Sequence, residues 1–498
     1  MSSAARADSR LKNPRVLVLL LAAAMLAAAC SESAGDAPTD AASTETAPTD
    51  PAPTEAAPAD PAAPPTTTAD EPGDEPVQTD DTGSAPTTAA EPTGPVPPGA
   101  DTPGVSDDTV TISFIITDTS AVAAAFGWET PDEGDREAQL AALVDHFNAN
   151  GGFAGRQIEA KVTVFNAITD GPVAEEALCN AVTQDDKAFA VVMTGQFQEN
   201  ARPCYRNANT LMLDATLYPV DNAGFEELAP YYWSPLLPAY DDLVAGLAEG
   251  LIEDGWFDGA TLGVLAIESG LSDRVYEQQF LPRLEAAGVQ VASYNNIDPT
   301  DATSLNNDLL QATINFKEAG VDKVAAIGGS RLISFFIDTS RTQNYSPAYA
   351  LTSYDSPEFN VSNYSAMMGG ASGISVLPGY DVGDDQYRFP ASDAEQECLD
   401  IFTAAGLTFE RRNHVRTGLM FCDTLRLLRA ASPHLTVLSA QGVTEAVWQL
   451  GDSFEPASVY GVEFTEGSYA GGDAYRRFRF DPECECMALV GDPADFDG

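Results

Sequence analysis

The sequence predicts an α/β protein of two doubly wound, parallel-sheet lobes, and three observations carry that expectation. Residues 110–164 read as strand, helix, glycine turn and strand. Alternating strands and helices then continue to about residue 350. Finally, about 390 residues follow the low-complexity N-terminal part, which is too long for one sheet domain and suits two.

In the opening unit Val110, Ile112, Phe114 and Ile116 alternate as a strand, and so do Ile158, Ala160, Val162 and Val164. Between them Leu140, Leu143, Val144 and Phe147 recur at helical spacing and give one apolar stripe. Gly151 and Gly152 follow, where a chain leaving a helix needs positive φ. The unit is therefore a right-handed βαβ crossover. Phe189–Met193 and Leu211–Leu213 are short apolar strands. After Tyr231–Pro235 the pattern restarts with a helix over Tyr240–Glu253, a strand Thr261–Ala266, a helix Ser272–Ala287 and a strand Val289–Tyr294. A helix Thr303–Ala319, a strand Lys323–Ile327, a helix from Arg331 and a strand Ala348–Leu351 complete this second series.

The N-terminus carries Arg6, Arg10, Lys12 and Arg15 ahead of an uncharged apolar run, Val16–Ala29. Such a run is too short for a membrane-spanning helix and has the layout of a signal peptide over residues 1–29. It ends Leu26-Ala27-Ala28-Ala29-Cys30, which resembles a bacterial lipobox and makes Cys30 the expected lipidated first residue. An ordinary cleavage after Ala-x-Ala, with Cys30 incidental, is the alternative. Residues 30–106 are nearly all Ala, Pro, Thr, Ser, Asp, Glu and Gly, so the expectation is a disordered acidic tether.

Net charge is −50; residues 107–498 alone hold 59 acidic and 21 basic side chains, a net of −38. A surface this acidic argues against nucleic acid and anionic lipid as partners. Without Cys30, six cysteines remain in an exported chain, where oxidation is the default. Cys179 and Cys204 fall on neighbouring helices, as do Cys398 and Cys422, which leaves Cys484 and Cys486 as a local pair. Three histidines and no second zinc-type cysteine pair argue against a metal site.

Phe147-Asn148-Ala149-Asn150-Gly151-Gly152-Phe153-Ala154-Gly155-Arg156 resembles the first-crossover signature of leucine/isoleucine/valine-type solute-binding proteins of ABC importers, and Gly104–Val110 is similar to that family's start. The resemblance covers roughly residues 104–490 and implies the type I periplasmic-binding fold, with a ligand cleft between lobes joined by a three-segment hinge. The crossings are expected near 233–237, 353–358 and 455–462. Lobe 1 would then span 107–233 plus 358–455, and lobe 2 would span 234–357 plus 456–498. The docking side of the Cys-x-Cys tail stays open.

Ligands of open α/β sheets sit outside the carboxyl ends of the strands. That rule selects the loops 117–120, 194–197, 214–216, 268–271, 328–331 and 354–355, with Thr117 and Ser120, Thr194, Gly195 and Gln196, Asp214, Ala215 and Thr216, and Ser330, Arg331, Tyr354 and Asp355 as the candidate contacts. The resemblance places carboxylate-binding loops at 194–196 and 214–216, and an ammonium partner at Asp355. Phe126 and Trp128 either wall the pocket or pack beneath it. No Gly-x-Ser-x-Gly elbow, phosphate-binding loop or His-Glu-x-x-His is present. The expected protein is a non-enzymatic, cofactor-free solute receptor at the outer face of the cytoplasmic membrane. Its partners would be a small polar solute, such as an amino acid or related carboxylate, and ABC permease subunits. A sensory receptor on the same fold and a surface hydrolase are the rival readings.

Overall fold

The computed structural model describes residues 94–166, 172–194, 201–215, 217–299, 302–329 and 332–496. The expected signal segment, Cys30 and most of the expected tether lie outside them. The tether ends earlier than its composition suggests, since Val96 is 5% exposed within the core. Its carbonyl accepts from the buried Arg156 guanidinium at 2.7 Å, and Pro98 pairs with Leu438. One apolar residue held by a buried cation is enough to order a Pro-rich segment that an averaged composition reads as free.

The first sheet holds β1 (Thr109–Asp118), β2 (Gln157–Asn166), β3 (Ala190–Thr194), β4 (Leu211–Ala215) and β5 (Tyr232–Trp233), all parallel, in the order β2-β1-β3-β4-β5. β1 is buried on both faces, as a central parallel strand should be. Val110, Ile112, Phe114 and Ile116 meet Leu140, Leu143 and Phe147 of the helix Arg136–Ala149, and Ile115 faces a second core with Val191, Met193 and Tyr205. The glycine turn has a steric cause. A Cβ on Gly152 would lie 1.9 Å from the Arg156 carbonyl oxygen.

The second sheet holds β6 (Leu262–Ile267), β7 (Val291–Ile297), β8 (Lys323–Ile327), β9 (Ala348–Thr352), β10 (Ser372–Ser375), β11 (Ala474–Asp481) and β12 (Cys486–Asp495). Their order is β12-β11-β10-β9-β8-β6-β7, parallel except for the antiparallel β11 and β12. The tail therefore docks on the second sheet, as a hairpin whose turn carries the Cys484–Cys486 disulfide. Cys179–Cys204 and Cys398–Cys422 are the other two bridges, joining adjacent first-lobe helices as the spacing suggests.

Two expected boundaries move. The second crossing was placed near 353–358, but β10 pairs with β9 and β11, so the chain stays in the second lobe until after Ser375. Phe359, Tyr364 and Met368 accordingly belong to the second-lobe core. The chain then returns to the first lobe, where the helices Asp393–Ala404 and Arg416–Ala431 pack on Arg136–Ala149. The third crossing comes just before β11, at about 469–473 rather than 455–462, and lies against the first: Ser234 N donates to the Tyr469 carbonyl, and Gly471 N to the Ser234 carbonyl, each at 2.9 Å. A Cβ on Gly471 would stand 2.3 Å from the Pro235 carbonyl oxygen, so this close approach of two hinge strands requires glycine.

Candidate functional site

The carboxyl ends of β4, β6 and β8 face one another across the lobes and border a cavity of about 250 Å³. The first lobe contributes Arg202, Tyr218 and Asp221; the second contributes Ser269, Ser272 and Arg274. Asp221 caps the helix Asn222–Leu228, its Oδ1 accepting from Gly224 N at 3.0 Å. Its Oδ2 accepts from Arg274 Nε at 2.8 Å and lies 2.6 Å from Nη2, an ion pair that spans the two lobes. Ser269 caps the helix Gly270–Val275 and so sets where Ser272 and Arg274 stand.

Asp214, at the end of β4, is 2% exposed and already engaged. Its Oδ2 accepts from Arg202 Nη2 at 2.8 Å and from the Tyr232 hydroxyl at 2.6 Å. The Arg202 guanidinium lies over the Tyr232 ring at 4.8 Å and the Tyr218 ring at 5.4 Å. Burial drives the Tyr232 phenol well above its ordinary pKa, with Arg202 opposing and Asp214 adding to the shift, so Tyr232 serves as a donor.

Of the other expected residues, Tyr354 is buried edge-on against Tyr240 at 5.5 Å, close to this cluster, and burial raises its pKa strongly. Asp355 does not stand as a free acid toward the cleft. Its Oδ2 accepts from Thr352 N at 2.8 Å and Thr352 Oγ1 at 3.1 Å, closing a capping box after β9, and burial pushes its pKa to about 7. Thr117 is buried at the end of β1, its carbonyl accepting from Arg136 Nη1 at 2.8 Å. Ser120 begins a helix, its N–H donating to Asp118 Oδ1 at 2.9 Å. Thr194 and Ala215 end β3 and β4. Gly195, Gln196, Thr216, Ser330 and Arg331 lie outside the described residues.

Arg202, Asp221 and Arg274 were missed by the sequence reading. They sit at or beyond the helix starts that follow strand ends, just past the loops the strand-end rule selects. The signal that points to them is scarcity: few cations exist in this acidic chain, and two of them flank strand-end loops.

Phe126 and Trp128 do not wall this cavity. After β1 the chain crosses to the second lobe, where Trp128 stacks on Phe126 at 4.6 Å and meets Phe335 at 5.2 Å and Phe359 at 5.1 Å. Its Nε1 donates to the Tyr364 hydroxyl, and Glu129 exchanges backbone hydrogen bonds with the Asn363 side chain. Glu133 then returns to the first lobe, accepting from Arg416 Nε at 2.9 Å and from Thr417 Oγ1. Residues 120–134 thus strap the lobes together.

A carboxylate is also built into the second crossing. Asp381 is fully buried, and its Oδ2 accepts from Ser353 Oγ at 2.6 Å, Ser375 Oγ at 2.7 Å and Leu377 N at 3.1 Å. Ser375 also bonds Tyr460 at 2.9 Å. Burial, opposed by these donors and aided by Glu358, lifts its pKa to about 7. An acid whose pKa rises on folding binds its proton more tightly in the native state, so its contribution is complete below about pH 4 and is lost as pH rises toward 7. Asp381→Asn is therefore expected to flatten the stability profile between pH 4 and 7, measured by denaturant unfolding, by on the order of 1–3 kcal/mol relative to wild type. An unchanged slope would remove Asp381 as the source.

Among the described residues no group of three metal-ligating side chains occurs, and no helix is long and apolar enough to cross a membrane. No protein-family model and no curated protein sequence matches the chain. Solved structures do. A possible leucine/isoleucine/valine-binding protein from Rhodopirellula baltica is 12% identical, with a TM-score of 0.54 over 77% of this chain and 96% of its own. The branched-chain amino acid transporter substrate binding protein of Streptococcus pneumoniae, in complex with isoleucine, is 15% identical, with a TM-score of 0.52 over 77% and 99%. A solute binding protein of an ABC transporter from Rhodopseudomonas palustris, in complex with p-hydroxybenzoic acid, is 14% identical, with a TM-score of 0.54 over 78% and 98%. At such identities the likeness speaks for architecture, and the architecture is the two-lobed type I periplasmic-binding fold.

Proposed function

We propose that this chain is an extracytoplasmic solute-binding lipoprotein of an ABC importer, which closes two lobes over a small polar solute and presents the closed form to permease subunits. The observation that carries the reading is the inter-lobe cavity with the Asp221–Arg274 pair across it. The site lies where parallel-sheet loops converge, and its lining mixes a few fixed polar groups with apolar wall from Pro219, Ile267 and Leu271. The solved relatives with this fold hold amino acids or hydroxybenzoate, which makes a small carboxylate the reasonable class. The role is binding rather than turnover, for the chain lacks the nucleophile and metal motifs named above. Calorimetry of the purified protein against amino acids, organic acids and sugars tests this. Saturable binding of a carboxylate supports it; binding of sugars alone, or hydrolysis of a panel ester or amide, refutes it.

Anchoring through a diacylated Cys30 completes the proposal, since the apolar run ends there and an acidic Pro-rich stretch follows. Cys30→Ser is expected to move the protein from the membrane fraction to the medium. Unchanged membrane attachment would contradict a lipid anchor at that residue.

A further inference from the structure

We infer that the inter-lobe cavity selects an organic anion that carries no ammonium group beside its carboxylate; the inference rests on the solute-receptor reading above. An ammonium needs acceptor oxygens, and among the described residues the buried carboxylates in and beside this cavity have theirs engaged by the protein. Asp214 Oδ2 holds Arg202 and Tyr232. Asp221 Oδ1 holds Gly224 N, and its Oδ2 holds Arg274. Asp355, 3% exposed, is closed onto Thr352. Glu227 also borders the cavity, but it is exposed and, among the described residues, no donor fixes it, so pairing it with a ligand costs side-chain entropy that Arg274, held by Asp221, has already lost. Arg202 in effect occupies the place on Asp214 that a ligand ammonium would take, and its charge repels a second cation.

The donors tell the opposite story. Arg274 reaches Asp221 through Nε and Nη2 and leaves Nη1 without a protein acceptor among the described residues; its side chain is 46% exposed. A guanidinium with a spare edge pairs with a carboxylate through charge-assisted hydrogen bonds. Tyr218, Pro219, Ile267 and Leu271 supply a hydrocarbon wall beside it. Among the described residues the cavity offers an open donor edge and few open acceptors beside an apolar wall, which fits a carboxylate on an aliphatic or aromatic body.

The test is calorimetry on the purified full-length protein with matched pairs, each amino acid against the acid in which hydrogen replaces its ammonium. Valine is set against isovalerate, and phenylalanine against phenylpropanoate. The inference expects the plain acid of at least one pair to bind about tenfold tighter or more than its amino acid. Equal or tighter binding of the amino acids overturns it and leaves the receptor reading standing. Binding of neither member of any pair, beside saturable binding of a non-carboxylate solute, overturns the carboxylate class as well. Arg274→Gln should weaken the acid by about tenfold to a hundredfold with the thermal midpoint retained. Wild-type affinity in that variant would overturn the role given to Arg274.

Discussion

Replacing Arg202 with methionine is expected to lower stability by about 3–5 kcal/mol, because it removes the guanidinium that neutralises the buried Asp214 carboxylate. The buried pair itself contributes little net stability, since desolvating both charges offsets most of their attraction. Adding Asp214→Asn to Arg202→Met should therefore recover a large part of the loss. Denaturant titration of the wild type, both single variants and the double variant closes the cycle. A loss below about 1 kcal/mol in Arg202→Met alone, the size of an exposed pair, would show that solvent reaches Asp214 and that the pair is not sealed.

Trp128→Ala should have a comparable effect, about 3–5 kcal/mol on the docked state of the strap, since it deletes a 9%-exposed indole seated among Phe126, Phe335 and Phe359. The strap joins the lobes, so the loss falls on closure more than on either lobe core. Hydrogen exchange should show protection lost around residues 123–130 and 359–364, with β1 and β3 unaffected. Solute affinity should fall with the closed population. Unchanged exchange over 123–130 would mean that the strap does not hold the lobes.

Much of this architecture is legible in the residues, and the failures have physical causes. The helix Tyr240–Glu253 and the strand Lys323–Ile327 appear where the apolar pattern puts them, because a long buried helix and an apolar central strand write their burial into composition. β10 is Ser372-Gly373-Ile374-Ser375, and a Cβ on Gly373 would lie 1.8 Å from the Leu351 carbonyl oxygen. Close packing demands glycine there, so the strand lost the apolar signature that would have revealed it, and the second crossing was misplaced in consequence. Val96 escaped notice because one anchored residue disappears within a Pro-rich average. At the cavity, the strand-end rule leads to the loops beside it but not to the partners of their side chains. Whether Asp214 meets a ligand or an internal arginine depends on Arg202 folding back from the next helix, which periodicity does not encode.

The central claim is that a small carboxylate is held between the lobes, and a crystal structure of the protein with its tightest-binding solute tests it most directly. The account predicts ligand density in the cavity bordered by Arg202, Ser269 and Arg274, with the ligand carboxylate within hydrogen-bond reach of Arg274 Nη1. Density for the solute on an outer surface of either lobe, with that cavity holding water alone, would contradict it.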